Sequence, residues 1–378
     1  MMRQFWDIFC TVIDNYGDIG VTWRLARQLV AEHGLNVRLW VDDLGAFARL
    51  CPSADPQLAR QAIEGVEICH WPSVWEPVEV ADVVIEAFAC HLPAQYLAGM
   101  QGRARKPLWL NLEYLSAEDW VAGCHGLPSL QSGGLQKFFF FPGFVAGTGG
   151  LLRERELLRE RDAWQQDARR PAAFLRGLGV RPAADEQLCS LFTYESASLA
   201  DWLQTLSRGA RRVLLLVPEG RVLAGLQDWL GEGGVQPGAQ FVRGNLRIQV
   251  LPFVRQEDYD RLLWCCDFNA VRGEDSLVRA LWAGRPLLWH IYGQADAAHL
   301  HKLQAFLDLY LPSLPAPTAA ALGNVWQSWN QGLPVGEAWT ALLPHWPQIQ
   351  AHARDWSARQ AAQTDLAAGL AHFCTNWL

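Results

Sequence analysis

The stretch VIDNYGDIGVTWRLARQL, residues 12–29, reads as the end of a strand, a short loop and the start of a helix. The apolar run Phe5–Asp14 precedes it. In Gly20–His33, Val21, Leu25, Leu29 and Val30 recur at helical spacing on one face, and Gly34 stands where a helix stops. Nucleotide-binding folds begin with this outline, yet their loops normally hold phosphate. Here Asp14 and Asp18 stand among the glycines. At ~4 Å and an effective dielectric of ~20, each carboxylate–phosphate contact costs about 4 kcal/mol. The helix dipole returns only about 0.3–1 kcal/mol when exposed, or ~2 when partly buried. The loop is therefore a poor diphosphate site. It suits a cationic or hydroxyl-bearing acceptor, or a general base, and Gly17 and Gly20 let backbone approach a ligand closely. The plainer alternative is that Asp18 caps the helix while Asp14 satisfies backbone groups in the turn.

The rest of the chain repeats the pattern. Asn36–Asp43, Val66–Trp71, Ala81–Ala89, Pro107–Tyr114 and Lys137–Phe144 read as further strands, several of them continuous apolar runs suited to a parallel sheet buried on both faces. The texture changes at GTGGLLRERELLRERDAWQQDARR, residues 147–170, which is glycine-rich and then densely charged with both signs. A second series follows, with strands expected at Leu188–Glu195, Arg212–Pro218, Leu246–Val254, Cys266–Val271 and Pro286–Tyr292. Two β/α series predict an α/β protein of two Rossmann-like domains with parallel sheets facing across a cleft. The expected boundaries are 1–170 and 180–357, with a C-terminal helix near 358–378 packing back on the first domain.

Composition narrows the function. The chain has 378 residues, half of them apolar, 19% charged, and a formal net charge of −7. That balance disfavours a general nucleic-acid role, which needs a basic surface. The opening MMRQFWDIFC lacks a signal-peptide pattern, and the apolar runs are of strand length, so a cytoplasmic protein without a membrane partner is expected. Nine scattered cysteines with no CxxC pair read as reduced core thiols rather than metal ligands or disulfides.

The better phosphate candidate lies in the second half, CDFNAVRGEDSLVRALWAGRPLLWHIY, residues 266–292. A strand ends near Val271, Arg272-Gly273-Glu274-Asp275-Ser276 forms a turn, and a helix is expected from Leu277 to Ala283. Asp275 or Ser276 can cap it. The helix N-terminus offers N–H groups and partial positive charge, and Arg272 adds a fork suited to phosphate. Together they can hold a diphosphate without metal. An ordinary capped helix is the alternative. Phe192, Tyr194, Phe253 and Tyr259 stand at or just beyond expected strand ends and can offer a stacking face for a base, or pack in the core. Gln256 can hydrogen-bond a pyrimidine edge or a phosphate.

WDIFCTVIDNYGDIGVTWRLARQL, LWVDDL and VRGEDSLVRALWAGRPLLWHIYGQ closely resemble the EarP family, bacterial protein-arginine rhamnosyltransferases that modify elongation factor P. The resemblance runs through most of the chain. It implies a GT-B glycosyltransferase fold and inverting transfer of L-rhamnose from dTDP-β-L-rhamnose to one arginine of elongation factor P, without metal or other cofactor. It further implies that the product activates the factor in rescuing ribosomes stalled on proline runs. By the family's pattern the first domain binds the protein acceptor, around Asp14, Asn15, Tyr16, Gly17 and Asp18. The second binds the donor. Asp14, Asp18 and Glu274 match its catalytic positions. Arg272, Gly273, Asp275 and Ser276 match the diphosphate contacts, Phe192 and Phe253 the thymine sandwich with Tyr259 as a third member, and Tyr194 and Gln256 other nucleotide contacts.

Arginine is a poor nucleophile, with a pKa above ~12 and delocalised lone pairs. A carboxylate pair can fix the guanidinium plane and accept its proton, and Asp18 is expected as base with Asp14 as orienter. Three rivals remain at this stage: a GT-B enzyme with another acceptor, a non-catalytic binder of a basic protein loop, and a dinucleotide oxidoreductase. The last is weakened because no GxGxxG follows the first strand.

Overall fold

A computed structural model describes residues 4–13, 16–231 and 233–377. The chain divides into two compact units, Met1–Arg155 with Gln360–Leu378, and Glu156–Arg359.

The first unit carries β1 (Phe5–Cys10), β2 (Asn36–Val41), β3 (Arg60–Ile63), β4 (Val66–His70), β5 (Val83–Ala87), β6 (Leu108–Leu112), β7 (Pro128–Leu130) and β8 (Gln136–Phe140). Their order is β3-β4-β2-β1-β5-β6-β8-β7. The inner pairs are parallel, and only the two edge strands, β3 and β7, run antiparallel to their neighbours. Side chains alternate across the sheet: Ile8 and Cys10 enter one core cluster, and Phe9 enters the other with Trp40 and Trp109. The helix Gly17–His33 lays Ile19, Trp23, Leu25 and Leu29 on the first of these clusters, where Leu366, Ala367, Leu370 and Cys374 of the final helix, Leu366–Trp377, also pack.

The second unit carries β9 (Glu186–Leu191), β10 (Arg212–Pro218), β11 (Gln240–Arg243), β12 (Leu246–Leu251), β13 (Phe268–Arg272) and β14 (Leu287–His290), ordered β11-β12-β10-β9-β13-β14. All neighbours are parallel except the edge hairpin β11–β12.

The strand order reverses beside β1 in one sheet and beside β9 in the other. Successive strands spread to one side, then the chain crosses to start β5 or β13 on the other side. In open α/β sheets such a switch point opens a crevice at the carboxyl ends of the two central strands, and ligands bind there. Topology alone therefore marks the loops after β1 and β5, and those after β9 and β13.

Several expectations need correction. β1 ends at Cys10 rather than Asp14, because the next backbone N–H groups go to side chains: Val12 N–H donates to Asp42 Oδ1 at 2.9 Å and Ile13 N–H to Asp18 Oδ2 at 3.1 Å. Both site helices begin a turn earlier than their apolar patterns do, at Gly17 instead of Gly20 and at Gly273 instead of Leu277. The edge strands β3, β7 and β11 were not anticipated. Two of them belong to two-residue hairpins, one through Glu64-Gly65 with positive φ at both residues, the other through Gly244-Asn245. Finally, the charged segment Leu157–Gln166 is a helix of the second unit, not of the first. Trp164 packs edge-on against Phe174 and Trp264. Arg161 Nη1 and Gln165 Nε2 donate to the carbonyls of Trp282 and Ala283, at 2.7 and 3.1 Å, satisfying the end of the helix Gly273–Ala283.

The nine cysteines are free thiols and seven are buried; burial pushes Cys69 and Cys90 up to about 12. Among the described residues no helix is long and apolar enough to cross a membrane.

Candidate active site

The first switch point is built on the loop between β1 and the helix Gly17–His33. Asp14 and Asn15 lie outside the described residues. Tyr16 is the N-cap, in αR geometry and with no side-chain capping bond, and the guanidinium of Arg49 lies 5.6 Å from the centre of its ring. Gly17 and Asp18 form the first turn. Asp18 is 5% exposed. It does not act as N-cap; its carboxylate reaches back to Ile13 N–H and so pins the loop against the helix that carries it. Thr22 Oγ1 donates to the Asp18 carbonyl at 3.0 Å, bracing the same turn. Asp42 and Arg49 were missed in the sequence. Their contribution is tertiary, since each reaches this loop from the β2 end of the chain.

At the adjoining β5 end, Phe88 and Ala89 both hold positive φ, 58° and 56°. Such backbone is costly for residues with a Cβ. Phe88 is buried and stacks on Tyr114, beyond β6, at 4.9 Å. Behind it, buried Glu86 accepts from Lys137 Nζ at 2.8 Å. None of this showed in the local sequence pattern.

In the second unit the predicted residues gather at the β9/β13 switch point. Phe192 leaves β9 with its N–H on the Ala270 carbonyl, at 2.9 Å, which ties the two central strands together at this point. Arg272 ends β13 and is the N-cap of the helix Gly273–Ala283, with no side-chain capping bond. It is 9% exposed, its guanidinium 4.5 Å from the Phe192 ring centre and 4.9 Å from that of Tyr194. Aromatic faces, not a carboxylate, hold this cation. Its Nη1 is buried and has no hydrogen-bond partner among the described residues. A buried charge with an unspent donor is what an anionic ligand would complete.

Gly273 makes the turn possible. Its φ is +60°, so the chain pivots from strand into helix within one residue. Glu274, Asp275 and Ser276 then fall in the first helical turn, each half-buried. Asp275 and Ser276 do not cap the helix with their side chains as expected. The Asp275 carboxylate instead accepts from Arg279 Nε at 2.7 Å, one turn along.

Phe253 is half-buried just beyond β12, and Gln256 is buried at the start of the helix Gln256–Cys265. Tyr259 is buried one turn later and meets Phe192 edge-on at 5.5 Å. Burial pushes its phenol up, against the lowering effect of Ser276. Tyr194 is buried, packed edge-on to His290 and Tyr292. His290, which pairs with Arg272 across the strands, was missed. Burial, helped by the Arg272 charge, pushes its imidazole down to about 4, so it is neutral near pH 7. Its Nδ1 and the Thr193 hydroxyl are also buried without hydrogen-bond partners among the described residues. Among those residues, no three His, Cys, Asp or Glu side chains group as a metal would require.

A model of the family described as Elongation-Factor P (EF-P) rhamnosyltransferase EarP matches residues 6–375. A protein-arginine rhamnosyltransferase of Pseudomonas putida is 60% identical over 377 residues, spanning 100% of both chains. Its counterpart from Pseudomonas aeruginosa is 56% identical over 99% of each. A solved structure described as the structural basis for EarP-mediated arginine glycosylation of translation elongation factor EF-P is 46% identical over 100% of both chains, with a TM-score of 0.74. Acinetobacter baumannii MurG, 12% identical over 99% of each chain with a TM-score of 0.51, shares the fold alone. The chain has the GT-B fold and belongs to the EarP family of elongation factor P rhamnosyltransferases.

Proposed function

We propose that the chain transfers L-rhamnose from dTDP-β-L-rhamnose to an arginine side chain of elongation factor P in the cytoplasm, inverting the anomeric carbon and using no metal. The observation that carries this reading is the contrast between the two switch points. One presents the buried carboxylate of Asp18, and the other the buried guanidinium of Arg272, unpaired with any carboxylate among the described residues. A cationic acceptor and an anionic donor suit these sites in that order.

The donor's diphosphate binds Arg272 and backbone groups of Gly273, Asp275 and Ser276. Its thymine lies between Phe192 and Phe253, with Tyr259 supporting Phe192, and Gln256 and Tyr194 contribute at the nucleotide side. Asp14, Asn15, Tyr16 and Gly17 receive the acceptor arginine together with Asp18. A guanidinium nitrogen attacks the anomeric carbon from the face opposite the diphosphate. The new C–N bond forms as the bond to the diphosphate oxygen breaks, and that electron pair leaves with dTDP. Asp18 accepts the proton lost by the guanidinium, and Asp14 holds the guanidinium plane. Glu274 stabilises the positive charge developing at the anomeric carbon, and Arg272 with the helix N-terminus stabilises the departing anion.

The test is the intact mass of purified elongation factor P before and after incubation with the chain and dTDP-β-L-rhamnose, with the anomeric configuration of the product read by NMR. A gain of one deoxyhexose on one arginine, in the α configuration and in the presence of a chelator, is expected. An unchanged mass would overturn the reading; a β product or a chelator-sensitive reaction would overturn its mechanism.

A further inference from the structure

The diphosphate motif poses a charge problem. Glu274 and Asp275 stand in the first turn of the helix whose N-terminus is to receive an anion, and Asp260 lies on the neighbouring helix Gln256–Cys265. One charged group meets two of these three acids. Arg279 is 2% exposed. Its Nε donates to Asp275 Oδ2 at 2.7 Å and its Nη1 to Asp260 Oδ2 at 2.6 Å. The same Nη1 lies 3.4 Å from the carbonyl of Gln256, the residue that opens the neighbouring helix.

We propose that Arg279 is a positioning residue for donor binding, drawing the Asp275 carboxylate down the helix and pairing it, together with Asp260, with one cation, so that an acidic motif accepts a diphosphate. The inference rests on the functional reading above. Each part of the geometry has a use. Asp275 is the third residue of its helix and Arg279 lies four residues on, so the pair spans one turn along one face. A carboxylate in a first turn is normally welcome there, but beside a diphosphate it repels. Turned towards Arg279, Asp275 leaves the helix end to Arg272. The second arm, to Asp260, clasps the helix bearing Gln256 and Tyr259 to the helix bearing Glu274 and Ser276. The nucleoside and diphosphate portions of the site are thus held by one side chain. Burial makes the arrangement strict, because a buried carboxylate left without its cation is strongly disfavoured.

The experiment compares binding of dTDP and of thymidine, which lacks phosphate, by calorimetry on the full chain. Arg279→Gln should weaken dTDP about tenfold and thymidine less than about threefold, since only the diphosphate meets the uncovered charge. Arg279→Lys, which keeps a cation between Asp275 and Asp260, should weaken dTDP less than about threefold. This variant also carries the test if Arg279→Gln does not fold. Unchanged dTDP binding in Arg279→Gln would overturn the inference. So would equal weakening of both ligands, or a folded Arg279→Lys variant that loses dTDP affinity about tenfold. A wild-type chain that binds no dTDP would break the functional reading itself.

Discussion

The two switch points use one piece of architecture with opposite charge. In each unit a central strand ends and a helix starts soon after it, with its N-terminus at the carboxyl edge of the sheet. After β1 the helix carries Asp18 in its first turn, with the carboxylate anchored on Ile13 N–H. After β13 the helix is capped by Arg272, held between Phe192 and Tyr194. A helix N-terminus favours anions in both places. The side chains decide whether that preference is used or cancelled. In the first unit the buried Asp18 carboxylate adds negative charge beside it, which suits a cation. In the second a guanidinium extends it, and the nearby acid Asp275 is drawn aside by Arg279.

The largest loss is expected at Asp18, the proposed proton acceptor. Asp18→Asn keeps the hydrogen bond from Ile13 within reach of an oxygen but removes that acceptor. Turnover on elongation factor P should fall by about 10²–10⁴, measured by the rate of the mass shift. At the other switch point, Arg272→Met should weaken dTDP-rhamnose binding by roughly 10- to 100-fold, the ~1.5–3 kcal/mol of charged hydrogen bonds, as read by calorimetry. A smaller effect is expected from Gly273→Ala. A Cβ at φ +60° costs about 1–2 kcal/mol, which should appear as a lower melting temperature together with weaker donor binding.

The smallest effect is a pH dependence. His290 and His352, both in the second unit, sit near pKa 4 in the folded chain because burial disfavours their charged forms, against 6.5 unperturbed. The unfolded chain therefore binds more protons between these values. The stabilisation is complete above pH 6.5 and is lost as pH falls towards 4. The melting temperature should fall across that interval, and less steeply in His290→Asn. An identical slope in the variant would show that His290 is not held neutral.

Much of this contrast was legible in the sequence, and the reasons are local. The apolar strand runs, Gly34, and the acidic and basic turns each depend on neighbours in the chain. Starting points of the two helices were misread because the motifs DNYGDIG and RGEDS look like loops. Their glycines belong in part to first helical turns, where polar residues are at home. The connector Leu157–Gln166 was assigned to the wrong unit because its charges concealed Trp164, Arg161 and Gln165, which reach Trp264, Trp282 and Ala283, far along the chain. Asp42, Asp260 and His290 reach the sites only through sheet register and helix packing, which no spacing rule encodes. Arg279 is intermediate: its i, i+4 relation to Asp275 is visible in the sequence, but its second bond, to Asp260, is not.

If the first switch point serves the acceptor and the second the donor, a titration of dTDP-rhamnose into Asp18→Asn separates them. The dissociation constant should lie within about threefold of the wild type, although the variant hardly turns over. A loss of donor affinity as large as that in Arg272→Met would contradict this assignment, because the carboxylate loop would then belong to the donor site.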